Sequence, residues 1–414
     1  MNKPGANKRV VITGAGSVCP LGSDWASIRQ QLRSLTNCVQ TMDQWNVYDE
    51  LNTRLAAPVV DFQIPEHYPK RKIRSQGRVA QFAVRATELA LESAGLLNNP
   101  RLQDGQTGIA YGSATGSSEG AMEFFSLLEN QSMERMTSTT YLRMMSHTAA
   151  VNISVFFGTT GRMVTTSSAC TAGSQGIGYA YEAIRSGLQT IMIAGGAEEL
   201  CPTQAAVFDV VYATSTHNDQ PKQFPRPFDQ GRDGLVLGEG ACTLILESLE
   251  SAEARGANIL AEVIGFATNT DGAHIVKPQQ STMEIVMRQA LKDADLSADA
   301  IGYICAHGTA TKHGDIAESQ ATENVMGSNT AFSSLKSYIG HSLGACGAIE
   351  AWTSIMMMNE GWFAPTLNLD NIDPACGQLD YIRDSVREIK TDYIMSNNFA
   401  FGGINTSLIF KRFN

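Results

Sequence analysis

The chain has 414 residues, of which 43% are hydrophobic and 17% are charged. These values fit a large globular protein and exclude an intrinsically disordered one. The formal net charge of −10 disfavours nonspecific nucleic-acid binding, which needs a basic surface. No apolar run reaches the roughly 18 residues that are needed to span a membrane.

The eight cysteines form no C-x-x-C pair, so zinc and thioredoxin-type sites are disfavoured. They are scattered along a large chain, and several stand in apolar runs. This pattern predicts reduced thiols in a cytoplasmic protein, because disulfides persist mainly in oxidising compartments.

Short apolar, β-branched runs alternate with longer amphipathic stretches along the chain. The predicted strands are residues 9–12, 107–111, 190–194, 241–246, 301–306, 331–335 and 407–410. The predicted helices run from an N-cap at Ser23 to about residue 35, and over residues 78–94 and 345–359. This alternation predicts an α/β protein with mostly parallel sheets that are covered on both faces.

A polar, alanine-rich helical stretch at residues 249–257 is the best place for a domain boundary. It predicts a longer N-terminal unit, residues 1–252, and a shorter C-terminal unit, residues 253–414. Periodicity alone does not show that the two units are structural duplicates.

Cys170 lies between a β-branched run and a helical pattern that continues through Ile177 and Ile184. A thiol at such a strand-to-helix junction feels the positive end of the helix dipole, which favours the thiolate. A sharp turn would also present backbone N–H groups beside the sulfur, and acyl transfer needs both elements. The alternative is a buried, inert cysteine, and position alone supports the two interpretations equally.

Two histidines occupy the same kind of position. His307 directly follows the predicted strand 301–306, and His341 lies between strand 331–335 and helix 345–359. Sites in α/β sheets gather at strand ends, so two histidines and a cysteine there predict one common site.

Lys336 stands five residues before His341 in a segment that is otherwise free of charge. If it is buried, it needs a partner, and Glu350 on the following helix is a candidate. The alternative is an exposed lysine on a turn. Spacing does not decide between the two.

Two glycine loops and one basic run complete the set of candidate features. Gly14 and Gly16 begin like a dinucleotide fingerprint, but Cys19 stands where the third glycine is required. The loop at residues 399–405 is either a mobile gate or a plain turn. The basic run at residues 70–74 is either a solvated face or a docking patch.

Taken in order, these motifs resemble the β-ketoacyl-acyl-carrier-protein synthases, of the elongating type with a Cys-His-His site. The resemblance covers nearly the whole chain and implies a thiolase-like fold, with two similar α/β halves in a five-layered αβαβα arrangement. The segments that carry it are residues 10–22, the Cys170 junction, Arg226-Pro227-Phe228-Asp229, Arg232-Asp233-Gly234, Gly238-Glu239-Gly240, His307-Gly308-Thr309, Lys336, Gly340-His341 and Phe401-Gly402-Gly403.

The resemblance implies catalytic roles for four of these residues. Cys170 would take the acyl chain from a carrier protein as a thioester, with the N–H groups of Cys170 and Phe401 as its oxyanion hole. His307 and His341 would promote the decarboxylation of malonyl-carrier protein and stabilise the resulting enolate through neutral N–H donors.

It also implies supporting roles. Lys336, paired with Glu350, would hold the electrostatic arrangement of the site. Thr309 and Thr311 would contact the phosphopantetheine arm. Phe401 would gate the passage between the acyl pocket and the nucleophile.

Acyl carrier protein is the implied partner, and the family binds this acidic protein where Arg71 and Lys72 stand here. That reverses the interpretation of the basic run as a solvated face. Because loss of carbon dioxide drives the condensation, no metal and no redox cofactor is expected; the substrates ride on the phosphopantetheine of the carrier. A homodimer is the first expectation, and a heterodimer with a related subunit remains open.

Several residues depart from the family pattern. Ala400 and Ile404 stand where the gate loop usually has Gly and Thr, which predicts a stiffer gate. Thr115 stands where the acyl pocket often has a bulky aliphatic residue, His217 replaces an expected arginine, and residues 276–277 lie in a loop that usually carries Thr or Ser. These changes favour a specialised synthase, such as one that builds a polyene, and leave chain length and saturation open.

Three other classes of protein are weighed against this interpretation. A degradative thiolase usually has a second cysteine in the C-terminal glycine loop, where this chain has Phe401. A non-catalytic chain-length subunit typically lacks the nucleophile, whereas Cys170 and both histidines are present. A dinucleotide-dependent oxidoreductase is disfavoured by the incomplete fingerprint.

Overall fold

The computed structural model describes residues 7–413. The strands are β1 (Val10–Val18), β2 (Gln40–Thr41), β3 (Leu55–Ala57), β4 (Thr107–Gly112), β5 (Met163–Thr166), β6 (Ile191–Glu198), β7 (Leu237–Gly238), β8 (Gly240–Ser248), β9 (Ala261–Thr270), β10 (Tyr303–Cys305), β11 (Ala331–Ser333), β12 (Trp362–Phe363), β13 (Asp380–Tyr381), β14 (Arg387–Glu388), β15 (Tyr393–Ala400) and β16 (Ile404–Lys411).

The helices alternate with these strands for most of the chain. They are α1 (Trp25–Arg33), α2 (Lys70–Ile73), α3 (Arg78–Ser93), α4 (Ser118–Asn130), α5 (Thr140–Met144), α6 (Thr148–Phe157), α7 (Ala172–Arg185), α8 (Pro202–Asp209), α9 (Leu249–Ala254), α10 (Gln280–Asp293), α11 (Lys312–Met326), α12 (Lys336–Ile339) and α13 (Cys346–Glu360).

Two sets of five strands follow one another with the same topology. The first set has the spatial order β5-β4-β6-β8-β1, and the second has the order β11-β10-β15-β16-β9. In each set the first two pairings are parallel and the last two are antiparallel. The expectation of two similar halves is therefore confirmed. The expectation of mostly parallel sheets is wrong, because the fourth and fifth strands of each half pair antiparallel.

Three layers of helices enclose the two halves of the sheet, which β1 and β9 join by antiparallel pairing. Helices α3 and α6 cover the outer face of the first half, α10 and α11 cover that of the second, and α7 and α13 lie between the halves. Alternation along β6 shows why both faces are covered: Ile191 and Ile193 join the outer core, whereas Met192 and Ala194 join the central core. The five-layered, thiolase-like arrangement is confirmed.

The predicted element ends shift by a few residues in the structure. The first helix is capped by Asp24 and not by Ser23, because the Asp24 side chain accepts a hydrogen bond from Ser27 N at 2.9 Å. The domain boundary predicted after residue 252 falls inside α9, and its outer limits at residues 1 and 414 lie outside the described residues. Between residues 7 and 413, no helix is both long and apolar enough to cross a membrane.

The two central helices meet at their N-terminal ends. Gly173 and Gly347 are the second residues of α7 and α13. A Cβ atom on Gly173 would lie 2.9 Å from the carbonyl oxygen of Gly344, and one on Gly347 would lie 2.9 Å from the backbone nitrogen of Ser174. Only glycine fits at either position. The turn before α7 and the turn before α13 therefore lie close together.

Replacing Gly173 by Val is expected to lower the free energy of unfolding by about 1–3 kcal/mol, because the added carbon atoms collide with the backbone of the opposite turn. Denaturant unfolding measures the change. The control is Glu182→Ala on the exposed face of the same helix, expected to stay within about 0.5 kcal/mol of the unchanged protein. Equal stability of the two variants would contradict the close approach of α7 and α13.

Candidate active site

Cys170 and His341 meet at the contact between the two central helices. Cys170 lies in the turn Ala169–Thr171, directly before α7, and His341 lies just before the equivalent turn, Leu343–Ala345, in front of α13. Ala169 and Leu343 both adopt left-handed backbone angles, with φ of 51° and 45°, so each half bends sharply at the same place. The Cys170 Sγ atom is 2.9 Å from His341 Nε2.

His307 completes the cluster from the end of β10. Its ring lies perpendicular to that of His341, with 5.1 Å between the ring centroids. The backbone N–H groups of His307 and Gly308 both donate to the Glu318 carboxylate at 2.7 Å, which holds this loop in place. The donor atoms of Cys170, His307 and His341 all lie within 4.8 Å of one another, so the structure brings the three sequence-predicted residues together.

Lys336 is buried and forms an ion pair with Glu350, and both side chains are at most 1% exposed. The alternative of an exposed lysine on a turn is therefore wrong. Burial opposes the charge on Lys336, but neighbouring groups that include the Glu350 carboxylate hold its pKa above the ordinary lysine value. Burial likewise raises the pKa of Glu350, against the opposing effect of the Lys336 ammonium group. The pair is thus a fixed charge arrangement beside the cluster.

Burial sets the protonation states in the cluster. It raises the pKa of the Cys170 thiol to about 11, although the backbone N–H of Phe401 and the charge on Lys336 act in the opposite direction. The thiolate expected from the helix position is therefore not the resting form at neutral pH. Burial and then Lys336 lower the pKa of His307 and of His341 well below 6.5, so both imidazoles are neutral.

A cavity of about 490 Å³ leads to these three residues. Thr309, Thr311 and Phe401 line it, as expected from the sequence, and the hydroxyl groups of the two threonines lie 3.0 Å apart. The exposed histidines His274 and His313 line its outer part, which the sequence did not indicate.

Phe401 lies in the turn that connects β15 and β16. Ala400 and Ile404, the two departures from the family pattern, pair with each other and close this hairpin. The Phe401 ring is 39% exposed and packs edge-on against Phe208, with 5.8 Å between the centroids. The N–H of Gly402 donates to the carbonyl oxygen of Ile275 at 2.9 Å, so the turn is tied to the loop at the cavity rim.

Thr115, Arg71 and Lys72, which the sequence also indicated, do not line the cavity. Thr115 is exposed, and its hydroxyl group donates to Glu198 at 3.2 Å. Arg71 is exposed on α2, whereas the Lys72 ammonium group points inward, donating to the carbonyl oxygen of Phe156 and lying 5.2 Å from the centre of its ring. Of the two basic residues, Arg71 is the one free to meet a partner.

Sequence reasoning missed Asn398 and Cys346, which lie against the cluster. Asn398 Nδ2 contacts Glu350, His307 and Cys346, and the Cys346 thiol donates to the carbonyl oxygen of Cys170 at 3.3 Å. A usable signal was present for Asn398, because consecutive polar residues interrupt an otherwise apolar, buried strand there.

One cysteine and two histidines also form a possible zinc donor set. The buried Lys336 cation, which lowers the pKa of both imidazoles, opposes a divalent ion at the same place. The expectation that the site works without metal stays a prediction.

Comparison with known proteins decides the family. The family model described as "Beta-ketoacyl synthase, N-terminal domain" matches residues 7–252, and the one described as "Beta-ketoacyl synthase, C-terminal domain" matches residues 260–370. The chain belongs to the β-ketoacyl synthase family. A curated relative from Synechocystis, named 3-oxoacyl-[acyl-carrier-protein] synthase 2, is 36% identical over 98% of both chains. The protein of the same name from Vibrio cholerae is 35% identical over 98% of this chain and all of its own.

Solved structures of β-ketoacyl synthases share the fold. One from Burkholderia phymatum is 57% identical, covers 98% of this chain and 100% of its own, and has a TM-score of 0.97. The ishigamide ketosynthase/chain length factor is 32% identical, with coverage of 99% and 100% and a TM-score of 0.90. Thus Cys170 and both histidines of this β-ketoacyl synthase lie in a fold that the family has in common.

Replacing His341 by Phe is expected to slow alkylation of Cys170 by iodoacetamide at neutral pH by about 10²-fold or more, because the variant lacks the proton acceptor beside the thiol. In that variant the rate should keep rising with pH without a plateau near pH 9, since the thiol pKa is about 11. Peptide mass spectrometry quantifies the label.

The matched control is His217→Phe, because His217 stacks on Phe224 and does not line the cavity. Its alkylation rate should equal that of the unchanged protein. Equal rates in the two histidine variants would show that His341 does not act on the thiol.

Proposed function

We propose that this protein is a β-ketoacyl-[acyl-carrier-protein] synthase, an acyltransferase that joins an acyl chain to a malonyl-derived unit with loss of carbon dioxide. The observation that carries the proposal is the 2.9 Å contact between Cys170 Sγ and His341 Nε2, with His307 beside both. A non-catalytic chain-length subunit typically lacks the cysteine of this arrangement. A thiolase usually has a second cysteine in the C-terminal glycine loop, where this chain has Phe401.

The first step loads the acyl chain onto Cys170. His341 Nε2 takes the proton of the thiol as the sulfur attacks the thioester carbonyl carbon of the acyl-carrier protein. The N–H groups of Cys170 and Phe401 stabilise the oxyanion, and both lie close enough to the sulfur to lower its pKa. The carrier thiol then leaves with the proton, and the acyl group stays on Cys170 as a thioester.

The second step breaks a carbon–carbon bond and forms another. Neutral N–H groups of His307 and His341 donate to the thioester oxygen of malonyl-carrier protein while its carboxylate leaves as carbon dioxide. The electron pair left behind forms an enolate, which attacks the acyl carbon on Cys170 and releases the sulfur. The His341 Nδ1 atom is buried without a hydrogen-bond partner among the described residues. No neighbour fixes its tautomer, so Nε2 can accept in the first step and donate in the second.

The proposed partner is an acyl carrier protein whose phosphopantetheine arm enters the cavity past Thr309 and Thr311. The exposed Arg71 supports docking of an acidic protein on this chain. A solved relative is described as a type II polyketide acyl-carrier protein in complex with its ketosynthase; that ketosynthase is 28% identical to this chain, with a TM-score of 0.88.

The proposed reaction needs no metal or redox cofactor, because the loss of carbon dioxide drives the condensation. The eight free thiols support a cytoplasmic location.

Dimerisation through the first half of the molecule is part of the proposal. Strand β5 ends the sheet and, within residues 7–413, pairs only with β4, which leaves backbone groups free along its other edge. Helix α4 exposes Met122, Phe125 and Leu128 at intervals of three residues, with 59%, 52% and 78% of their surfaces open. A second copy of this chain covers these groups best, and a related subunit is the alternative.

Incubation with an acyl-loaded carrier protein is expected to add the acyl mass to the Cys170 peptide. A Cys170→Gln variant should carry no adduct but still decarboxylate malonyl-carrier protein, because both histidines remain. His307→Ala should accept the acyl group yet lose most of its decarboxylation, about 10²-fold or more. Failure of the unchanged protein to form an adduct would favour the non-catalytic subunit.

The same assay with a panel of saturated and polyunsaturated carrier-bound acyl chains tests the hypothesis that the enzyme builds a polyene. Equal or better turnover of the saturated chains would contradict that hypothesis.

Changing both Phe125 and Leu128 to Glu is expected to convert a dimer into a monomer in light-scattering measurements, because charges would be buried at the interface. Ile285→Glu on α10 is the control, since that side chain is 47% exposed in the other half of the molecule and should not affect assembly. A monomeric unchanged protein that dimerises only with a related subunit would replace the homodimer by a heterodimer. Dimers of the double variant would place the interface elsewhere.

A further inference from the structure

Asn398 connects the buried ion pair to one of the two active-site histidines. It lies in β15, is fully buried, and points its amide between α13 and the end of β10. Its Nδ2 atom is 2.7 Å from Glu350 Oε2 and 3.4 Å from His307 Nδ1. Among residues 7–413, no other side chain is hydrogen-bonded both to the ion pair and to an imidazole of the cluster.

The contact with Glu350 determines which way the amide faces. Glu350 is paired with Lys336, so its carboxylate accepts hydrogen bonds and does not donate them. The amide atom at 2.7 Å must therefore be the nitrogen, and not the oxygen. An NH₂ group has two hydrogens, and with one directed at Glu350 the other is left for the imidazole.

The orientation of the amide then determines the tautomer of His307. A nitrogen that receives an N–H must present a lone pair, because two donors facing each other repel. A neutral His307 with its lone pair on Nδ1 carries its proton on Nε2. The separation of 3.4 Å is long for a hydrogen bond, and such bonds in empty sites commonly shorten when substrate binds.

We propose that Asn398 is a positioning residue that keeps His307 in the Nε2-protonated tautomer, with the Lys336–Glu350 pair as its anchor. This inference rests on the proposed function and assigns a different role to each of the two histidines. His307 is a permanent hydrogen-bond donor to the malonyl thioester oxygen. His341, whose Nδ1 has no partner among the described residues, is the histidine that exchanges a proton with Cys170.

The test measures the tautomer directly and the two half-reactions separately. Long-range ¹H–¹⁵N correlation spectra of histidine-labelled protein distinguish a protonated ring nitrogen from a bare one, and a His307→Gln variant assigns the His307 signals. We expect the unchanged protein to show a protonated Nε2 and a bare Nδ1. Asn398→Leu, which has a similar shape and no donor, should show a mixture of the two tautomers.

In the half-reactions, Asn398→Leu should reduce malonyl decarboxylation in the Cys170→Gln background by about 10-fold or more, while acyl loading of Cys170 stays within about twofold. The matched control is Asn397→Leu, the same change one residue earlier, where neither amide atom has a hydrogen-bond partner in the part of the chain that the structure describes. It should leave the tautomer and the ratio of the two rates unchanged. Equal losses in both half-reactions would mark Asn398 as merely structural.

The spectrum of the unchanged protein decides the matter even if the leucine variant does not fold, because a protonated Nδ1 on His307 overturns the proposal. An unchanged tautomer in folded Asn398→Leu does the same. Failure of the proposed function looks different: the unchanged protein would then lack decarboxylation and acyl loading, whatever its tautomer.

Discussion

The close approach of two helix N-termini is the constraint on which the rest of the structure depends. Gly173 and Gly347 occupy the same position in α7 and α13, and neither leaves room for a side chain. Each helix is preceded by a sharp turn with one left-handed residue. The duplicated topology therefore brings together the turn that carries Cys170 and the turn that follows His341. The site is a product of the repeat, because neither half contains both.

Burial at this contact then decides the chemistry. The same desolvation that keeps the thiol protonated keeps both imidazoles neutral, so the resting cluster holds a proton on sulfur and lone pairs on nitrogen. In the proposed mechanism, the reaction begins when that proton moves to His341, and no thiolate is needed in the resting protein. The Lys336–Glu350 pair brings charge into this environment at a cost in desolvation. Asn398 links this charge pair to the ring of His307, and the proposed role of the pair is to anchor Asn398 there.

Much of this site could be predicted from the sequence, because the signals are local. Cys170, His307 and His341 each lie in a loop that follows a predicted strand, and strand ends are where α/β proteins place their chemistry. The five-layered fold followed from the ordered motifs of the family. Other features depend on contacts between residues far apart in the chain. Local periodicity does not indicate the close approach of α7 and α13, the inward orientation of Lys72 or the exposed position of Thr115. Burial also affects the pKa of Cys170 more than the helix dipole does. How deeply a side chain is buried is not evident from the sequence.

The most direct test of the composite site is a crystal structure of the protein with Cys170 acylated by an acyl-loaded carrier protein. The carbonyl oxygen of that thioester is the oxygen that the two N–H groups are expected to hold. We predict that this oxygen lies about 2.7–3.1 Å from the N–H groups of Cys170 and Phe401, with His307 and His341 still beside the sulfur. An oxygen that points away from both N–H groups, or a sulfur that is separated from the two imidazoles, would contradict the account.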